Sequence, residues 1–151
     1  MRIAISGLGT SVGLGIIKSI RKDKGNHFIL GIDNISSAHS FMVDMFEYMP
    51  KVEALKNCDH IIKLIKSYKI DVVLISSEYE IEWFSNYKKI IEFKTKCKVL
   101  VTTKEWITIG NDKLKTYKFL YKIGVTVAPF FYFEKNKNHW ISGINFKELD
   151  K

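Results

Sequence analysis

The first fifteen residues constrain this chain most. Ile3-Ala4-Ile5 is a short apolar run that ends in Ser6-Gly7, and glycines stand at 7, 9, 13 and 15. An apolar run without polar alternation fits a strand covered on both faces. Gly13, Ile16, Ile17 and Ile20 then recur at helical spacing, so the sequence predicts a helix from about Val12 to Lys22. Lys24-Gly25-Asn26 breaks it. His27 to Ile32 reads as a second strand, ending at Asp33-Asn34. Strand, glycine-rich turn, helix and strand form a crossover unit, and a crossover unit demands parallel strands.

The rest of the chain repeats that alternation. Residues 34–45 have no clear period. A short third strand is predicted at Phe46 to Met49, stopped by Pro50. Leu55, Cys58, Ile61, Ile62 and Ile65 form the apolar face of a helix from about Val52 to Tyr68, with Lys56, Lys63 and Lys66 on its wet side. Asp71 to Ile75 is the fourth strand, residues 79–93 a helix, and Val99 to Val101 the fifth strand. Thr103 could cap a short helix through Ile109. Asn111 or Asp112 could cap another, running to Ile123 and stopping at Gly124. Phe130 to Phe133 reads as a last strand, followed by a polar tail. Strands alternating with helices predict an α/β fold with a doubly wound parallel sheet of about five strands. A compositional seam near 108–112 divides a sheet domain, 1–110, from a second piece, 111–151.

Composition narrows the class. The chain has 151 residues, 46% hydrophobic and 26% charged, which suffices for a domain with a real core and is too broken by charge for a membrane span. The apolar stretch behind Met1-Arg2 is too short for a signal peptide. Cys58 and Cys97 are far apart and form no C-x-x-C pair, so the expected home is a reducing cytoplasm. The net charge of +8 raises nucleic acid as a partner, but the lysines are spread along the chain and only Arg2 and Arg21 are arginines. That pattern fits a solvated lysine surface better than a phosphate-reading face.

Three stretches could carry chemistry. In Ser6-Gly7-Leu8-Gly9-Thr10-Ser11-Val12-Gly13-Leu14-Gly15, glycines could let backbone N–H groups approach a phosphate at a helix start. The fingerprint G-x-G-x-x-G needs glycine where Val12 stands. The frame Gly9-x-x-x-Gly13-x-Gly15 resembles the loop of short-chain dehydrogenases, and Asp33 ends the second strand where an acid could bind a ribose hydroxyl. The tyrosine and lysine four apart that such enzymes use are missing: none of the seven tyrosines has that partner. Equally, the glycines could serve only close helix–strand packing. An NAD(P)-binding or regulatory module therefore stays open as the alternative. The second stretch is Ser76-Ser77-Glu78-Tyr79-Glu80-Ile81-Glu82, whose acids could hold an amine or simply complement a helix dipole. The third is Asn111-Asp112-Lys113, where a lysine on the first turn of a helix runs against the dipole and either serves an anionic ligand or is simply one more exposed lysine of a lysine-rich chain. The four histidines do not cluster, and no metal-ligand spacing is present.

In order, Ile3-Ala4-Ile5-Ser6-Gly7, Gly9 through Gly15, Leu30-Gly31-Ile32-Asp33-Asn34, Lys69-Ile70-Asp71-Val72-Val73 with Ser77-Glu78, and Asn111-Asp112-Lys113 through Gly124-Val125 resemble the N-terminal region of ATP-grasp ligases. The likeness is greatest to carbamoyl-phosphate-synthase-like members and covers residues 1 to about 133. It implies a Rossmann-like pre-ATP-grasp domain that supplies one wall of a substrate cleft and binds no NAD. It implies substrate-cleft positions at Gly7, Gly9, Thr10, Ser11, Asp33, Ser77 and Glu78, and a nucleotide-binding position at Lys113. In the complete enzyme, ATP and Mg²⁺ would convert a carboxylate to an acyl phosphate that an amine or ammonia then attacks. Val125-Thr126-Val127-Ala128-Pro129 keeps only the later proline of the family's linking segment. The catalytic lid, main phosphate lysine and acidic metal ligands have no counterpart in these residues. The expectation is a chain that is inactive alone, binds neither ATP nor Mg²⁺ tightly, and works with an ATP-grasp domain in cis or in trans on a small-molecule substrate. No membrane partner is expected, and a homodimer is left open.

Overall fold

The computed structural model describes residues 1–134 and 139–142. The chain separates into two compact units, Met1–Lys104 and Glu105–Lys151, dividing just ahead of the seam read from composition.

The first unit is built on five strands: β1 (Arg2–Ser6), β2 (Phe28–Asp33), β3 (Met45–Tyr48), β4 (Val72–Ile75) and β5 (Lys98–Leu100). All pair in parallel, in the order β3-β2-β1-β4-β5. Three α-helices connect them: α1 (Ser11–Lys22), α2 (Asp59–Tyr68) and α3 (Glu78–Thr95). This is the predicted α/β class, a doubly wound, Rossmann-like parallel sheet with helices on both faces.

Side-chain alternation explains the layers. Ile3 and Ile5 of β1 and Ile29 of β2 pack with Leu8 and Ile17 on the α1 face. Ala4, Leu30, Ile32 and Val73 point the other way, into a larger core with Ile61, Ile65, Phe84, Ile91 and Val99. Both faces of β1 are thus covered, so Ile3-Ala4-Ile5 runs apolar without alternation.

In the first unit, two segments differ from the sequence reading. The predicted helix over 52–68 is a 3-10 turn at Val52–Ala54 followed by α2, which starts only at Asp59. Asn57 Oδ1 accepts from the Asp59 N–H at 3.0 Å, an Asx-type start that fixes the later beginning. Leu55 and Cys58 still pack on the core, which is why the apolar period ran ahead of the helix. The aperiodic 34–45 stretch contains a 3-10 helix, Ala38–Met42, closed by a Ser37–Ser40 capping box.

The second unit holds α4 (Lys104–Gly110), α5 (Lys113–Lys122), β6 (Phe131–Glu134) and β7 (His139–Ser142). Asp112 caps α5 by accepting from the Leu114 and Lys115 amides at 2.9 and 3.1 Å. Trp106 meets Phe119 edge to face, and Tyr117 stacks on Phe130. β6 and β7 pair antiparallel, so a strand stands at 139–142, where the sequence reading had a polar tail. The call over 135–138 and beyond 142 lies outside the described residues. Among those described, no helix is long and apolar enough to cross a membrane.

Candidate functional site

A cleft of about 400 Å³ opens at the carboxyl end of the sheet, where the strand order reverses between β1 and β4. Open α/β sheets bind ligands at this point because the connections on either side run apart. Gly7, Gly9 and Thr10 line it from the glycine loop, Asp33 from the end of β2, Lys51 and Glu53 from the 3-10 turn after β3, and Ser77 and Glu80 from the start of α3.

The glycine loop is held from below. Gly7 has φ +72°, and a Cβ there would stand 2.5 Å from Ser77 Cβ and 2.9 Å from Ser77 N. Only glycine lets the end of β1 pass so close to the start of α3. Gly13 lies against the Leu8 carbonyl, 2.4 Å from where its Cβ would be. The buried Ser76 hydroxyl donates to the Ser6 and Gly7 carbonyls. Thr10 caps α1: its Oγ1 accepts from the Gly13 N–H at 2.9 Å and donates to Ser76 Oγ at 3.1 Å.

These bonds decide what the loop can offer an anion. The Gly9 N–H donates to Asp33 Oδ2 at 2.7 Å, and the Asn34 N–H donates to Asp33 Oδ1. The Thr10 N–H goes to the Gly7 carbonyl, and the Gly7 and Leu8 N–H groups go to the Ile32 carbonyl. Along the loop from Gly7 to Leu14, this leaves the Ser11 and Val12 N–H groups at the start of α1 without a partner. The carboxylate at the end of β2 therefore occupies an amide that a pyrophosphate would otherwise use.

Glu80 is the unusual group. Its Oε2 accepts from Ser6 Oγ at 2.7 Å, and Ser6 is fully buried at the end of β1. Burial pushes the Glu80 carboxyl up to about 7; the Ser6 hydroxyl pulls against this, and the negative charges of Asp33 and Glu53 add to it. The charged side chains lining the cleft are thus three acids, Asp33, Glu53 and Glu80, and one base, Lys51.

Of the positions read from sequence, Gly7, Gly9, Thr10, Asp33 and Ser77 come together in this cleft. Ser11 and Glu78 are exposed and do not line it. Lys113 is exposed on the first turn of α5, in the second unit. Lys51 and Glu53 were not among the sequence candidates, and Glu80 and Ser6 were read only as members of the 76–82 and 6–15 stretches. Glu80 did carry a signal: Ser77-x-x-Glu80 has capping-box spacing, yet Ser77 makes no side-chain cap. Cys58 and Cys97 are buried free thiols, and burial drives Cys97 up to about 12. No group of three or more His, Cys, Asp or Glu among the described residues is placed to hold a metal ion.

No family model matches the chain, and no curated protein matches it. Among solved structures it is similar to a UDP-glucose-4-epimerase from Stenotrophomonas maltophila with bound NAD and formylated UDP-arabinopyranose. The identity is 11% and the TM-score 0.38, over 83% of this chain and 35% of that one. The chain thus spans little more than a third of that structure, and a likeness so distant carries no argument about chemistry.

Proposed function

We propose that this chain is the N-terminal substrate-cleft domain of an ATP-dependent carboxylate–amine ligase, carbamoyl-phosphate-synthase-like, acting through an acyl phosphate in the cytoplasm. The observation that carries the reading is the charge of the cleft: Asp33, Glu53 and Glu80 against Lys51, with the Gly9 amide already given to Asp33. Such a wall repels pyrophosphate and favours an amine or ammonium ion. ATP and Mg²⁺ belong to the catalytic module, which this domain serves in cis or in trans, and Lys113 is the position offered to nucleotide phosphates. The test is hydroxylamine trapping in the product of the complete reading frame that contains this chain. ATP-dependent hydroxamate formation is expected, whereas its absence across a panel of carboxylate substrates, together with tight Mg-ATP binding by the isolated chain, overturns the reading.

A second reading, an NAD(P)-binding or regulatory module, is favoured by the unpartnered Ser11 and Val12 amides and by Asp33 at the end of β2. It requires NAD(H) or NADP(H) to stabilise the chain, by about 2.7 kcal/mol at a hundredfold excess over Kd. That stabilisation should vanish on Asp33→Ala.

A further inference from the structure

Inside the cleft assigned above to the amine, one side chain ignores the local rule for its position. Ser77-Glu78-Tyr79-Glu80 is spaced so that Glu80 would turn back to the Ser77 amide and Ser77 would cap the helix. Neither bond forms. The Glu80 carboxyl turns instead toward β1, where the buried Ser6 hydroxyl holds Oε2 at 2.7 Å. Its Oε1 has no hydrogen-bond partner among the described residues, and Glu80 lines the cleft. The helix gives up a cap to place a carboxyl here.

The surroundings suit a group that changes protonation. Asp33 faces it from the end of β2, Glu53 and Lys51 from the 3-10 turn after β3, and Ser6 from β1; Tyr79 is its exposed neighbour on α3. Ser6 fixes one oxygen and so orients the other. We infer that Glu80 is the residue through which this cleft exchanges a proton with its ligand, accepting it at Oε1 from the nitrogen of a bound ammonium group. In that step the N–H bond breaks, the proton passes to the carboxylate, and the electron pair stays on nitrogen as the lone pair of a free amine. A carboxyl raised to about 7 is a far better base than an ordinary glutamate and is still about half ionised at neutral pH. The inference rests on the ligase reading for the identity of the ligand as an amine.

The test uses the full chain, labelled with ¹³C and titrated by NMR from about pH 4 to 9, a range that brackets ordinary and raised glutamates. One sample contains methylammonium chloride; the control contains tetramethylammonium chloride at the same ionic strength, a cation of equal charge without N–H groups. Glu80 is expected to titrate near 7 in the control. Methylammonium should lower that midpoint, by about one unit at a tenfold excess over its Kd, because the ionised carboxyl must hold the ammonium group before taking its proton, so the cation and a solvent proton compete for Oε1. A Glu80 midpoint near the ordinary value of about 4.3 overturns the inference. So does a raised midpoint that is the same in both salts. Either result leaves the ligase reading to its own test, ATP-dependent hydroxamate formation, so the two failures are distinguishable.

Discussion

Replacing Gly7 by alanine tests whether the cleft is built on a backbone contact. Gly7 sits at φ +72°, and its missing Cβ leaves room for Ser77 N and Cβ at 2.9 and 2.5 Å. A left-handed alanine costs about 1–2 kcal/mol on its own. Overpacking adds about 1–3 kcal/mol, since the nearest atoms are the backbone and Cβ of Ser77 and cannot swing aside as a flexible side chain could. The sum, about 2–5 kcal/mol, is a large share of the stability of about 5–15 kcal/mol that an ordinary domain possesses. With a urea slope of about 1–3 kcal/mol per molar, the midpoint followed by circular dichroism should fall by roughly 1–2 M. Gly15 supplies the control. It lies on α1 with nothing within 4 Å of its would-be Cβ, so Gly15→Ala should raise stability by about 0.5–1 kcal/mol. Equal midpoints for Gly7→Ala and the wild type would refute the close approach of β1 and α3.

Thr10→Ala removes the cap on the Gly13 N–H and the contact with Ser76, and should cost about 1–2 kcal/mol in thermal unfolding, with Thr10→Ser losing clearly less. Glu80 binds its proton more tightly folded than unfolded, so its contribution makes the fold less stable as pH rises from about 4.5 to about 7, by up to about 3 kcal/mol. Glu80→Gln should flatten that part of the urea midpoint against pH, and a slope unchanged by the substitution would contradict the burial of the carboxyl. At Asp44, burial pushes the carboxyl up, but the Ile29 amide at 2.7 Å and Arg21 at 2.8 Å outweigh it and the net shift is downward. Its contribution is therefore present above the unfolded value near 4 and lost as pH falls through the lower folded value. Asp44→Asn should destabilise at pH 7 and match the wild type in strong acid, where a persistent gap would count against the assignment.

Strand positions were legible because apolar runs such as Val72-Val73-Leu74-Ile75 have one reading when both sheet faces are covered. The glycine loop was legible as a close approach, though its partner, Ser77, lies seventy residues away and no local pattern announces it. The boundary of α2 was not legible, since Leu55 and Cys58 keep the helical period while the Asx start at Asn57 decides where the helix begins. Within Glu78-Tyr79-Glu80, the sequence made Glu78 and Glu80 look alike as first-turn acids. Only the approach of Ser6 from β1 separates the one that enters the cleft from the one that faces water. Asp33 was read as a ribose acceptor or a cleft acid; its bond to the Gly9 amide depends on a loop conformation that spacing alone does not specify.

The central place of β1 has a consequence for the order in which the molecule assembles. Ile3 pairs with Ile29 on one side and with Val72 on the other, so the second pairing closes a segment more than twice as long. The extra closure entropy is only roughly 1 kcal/mol. Yet every pairing in the sheet is non-local, and such topologies reach their transition state slowly. The half made of β1, β2 and β3 can gather first, with α1 over Ile3 and Ile5. Until β4 arrives, the flank of β1 stays open as an unpaired edge, and that edge is where a newly made copy is most exposed to pairing with the wrong chain.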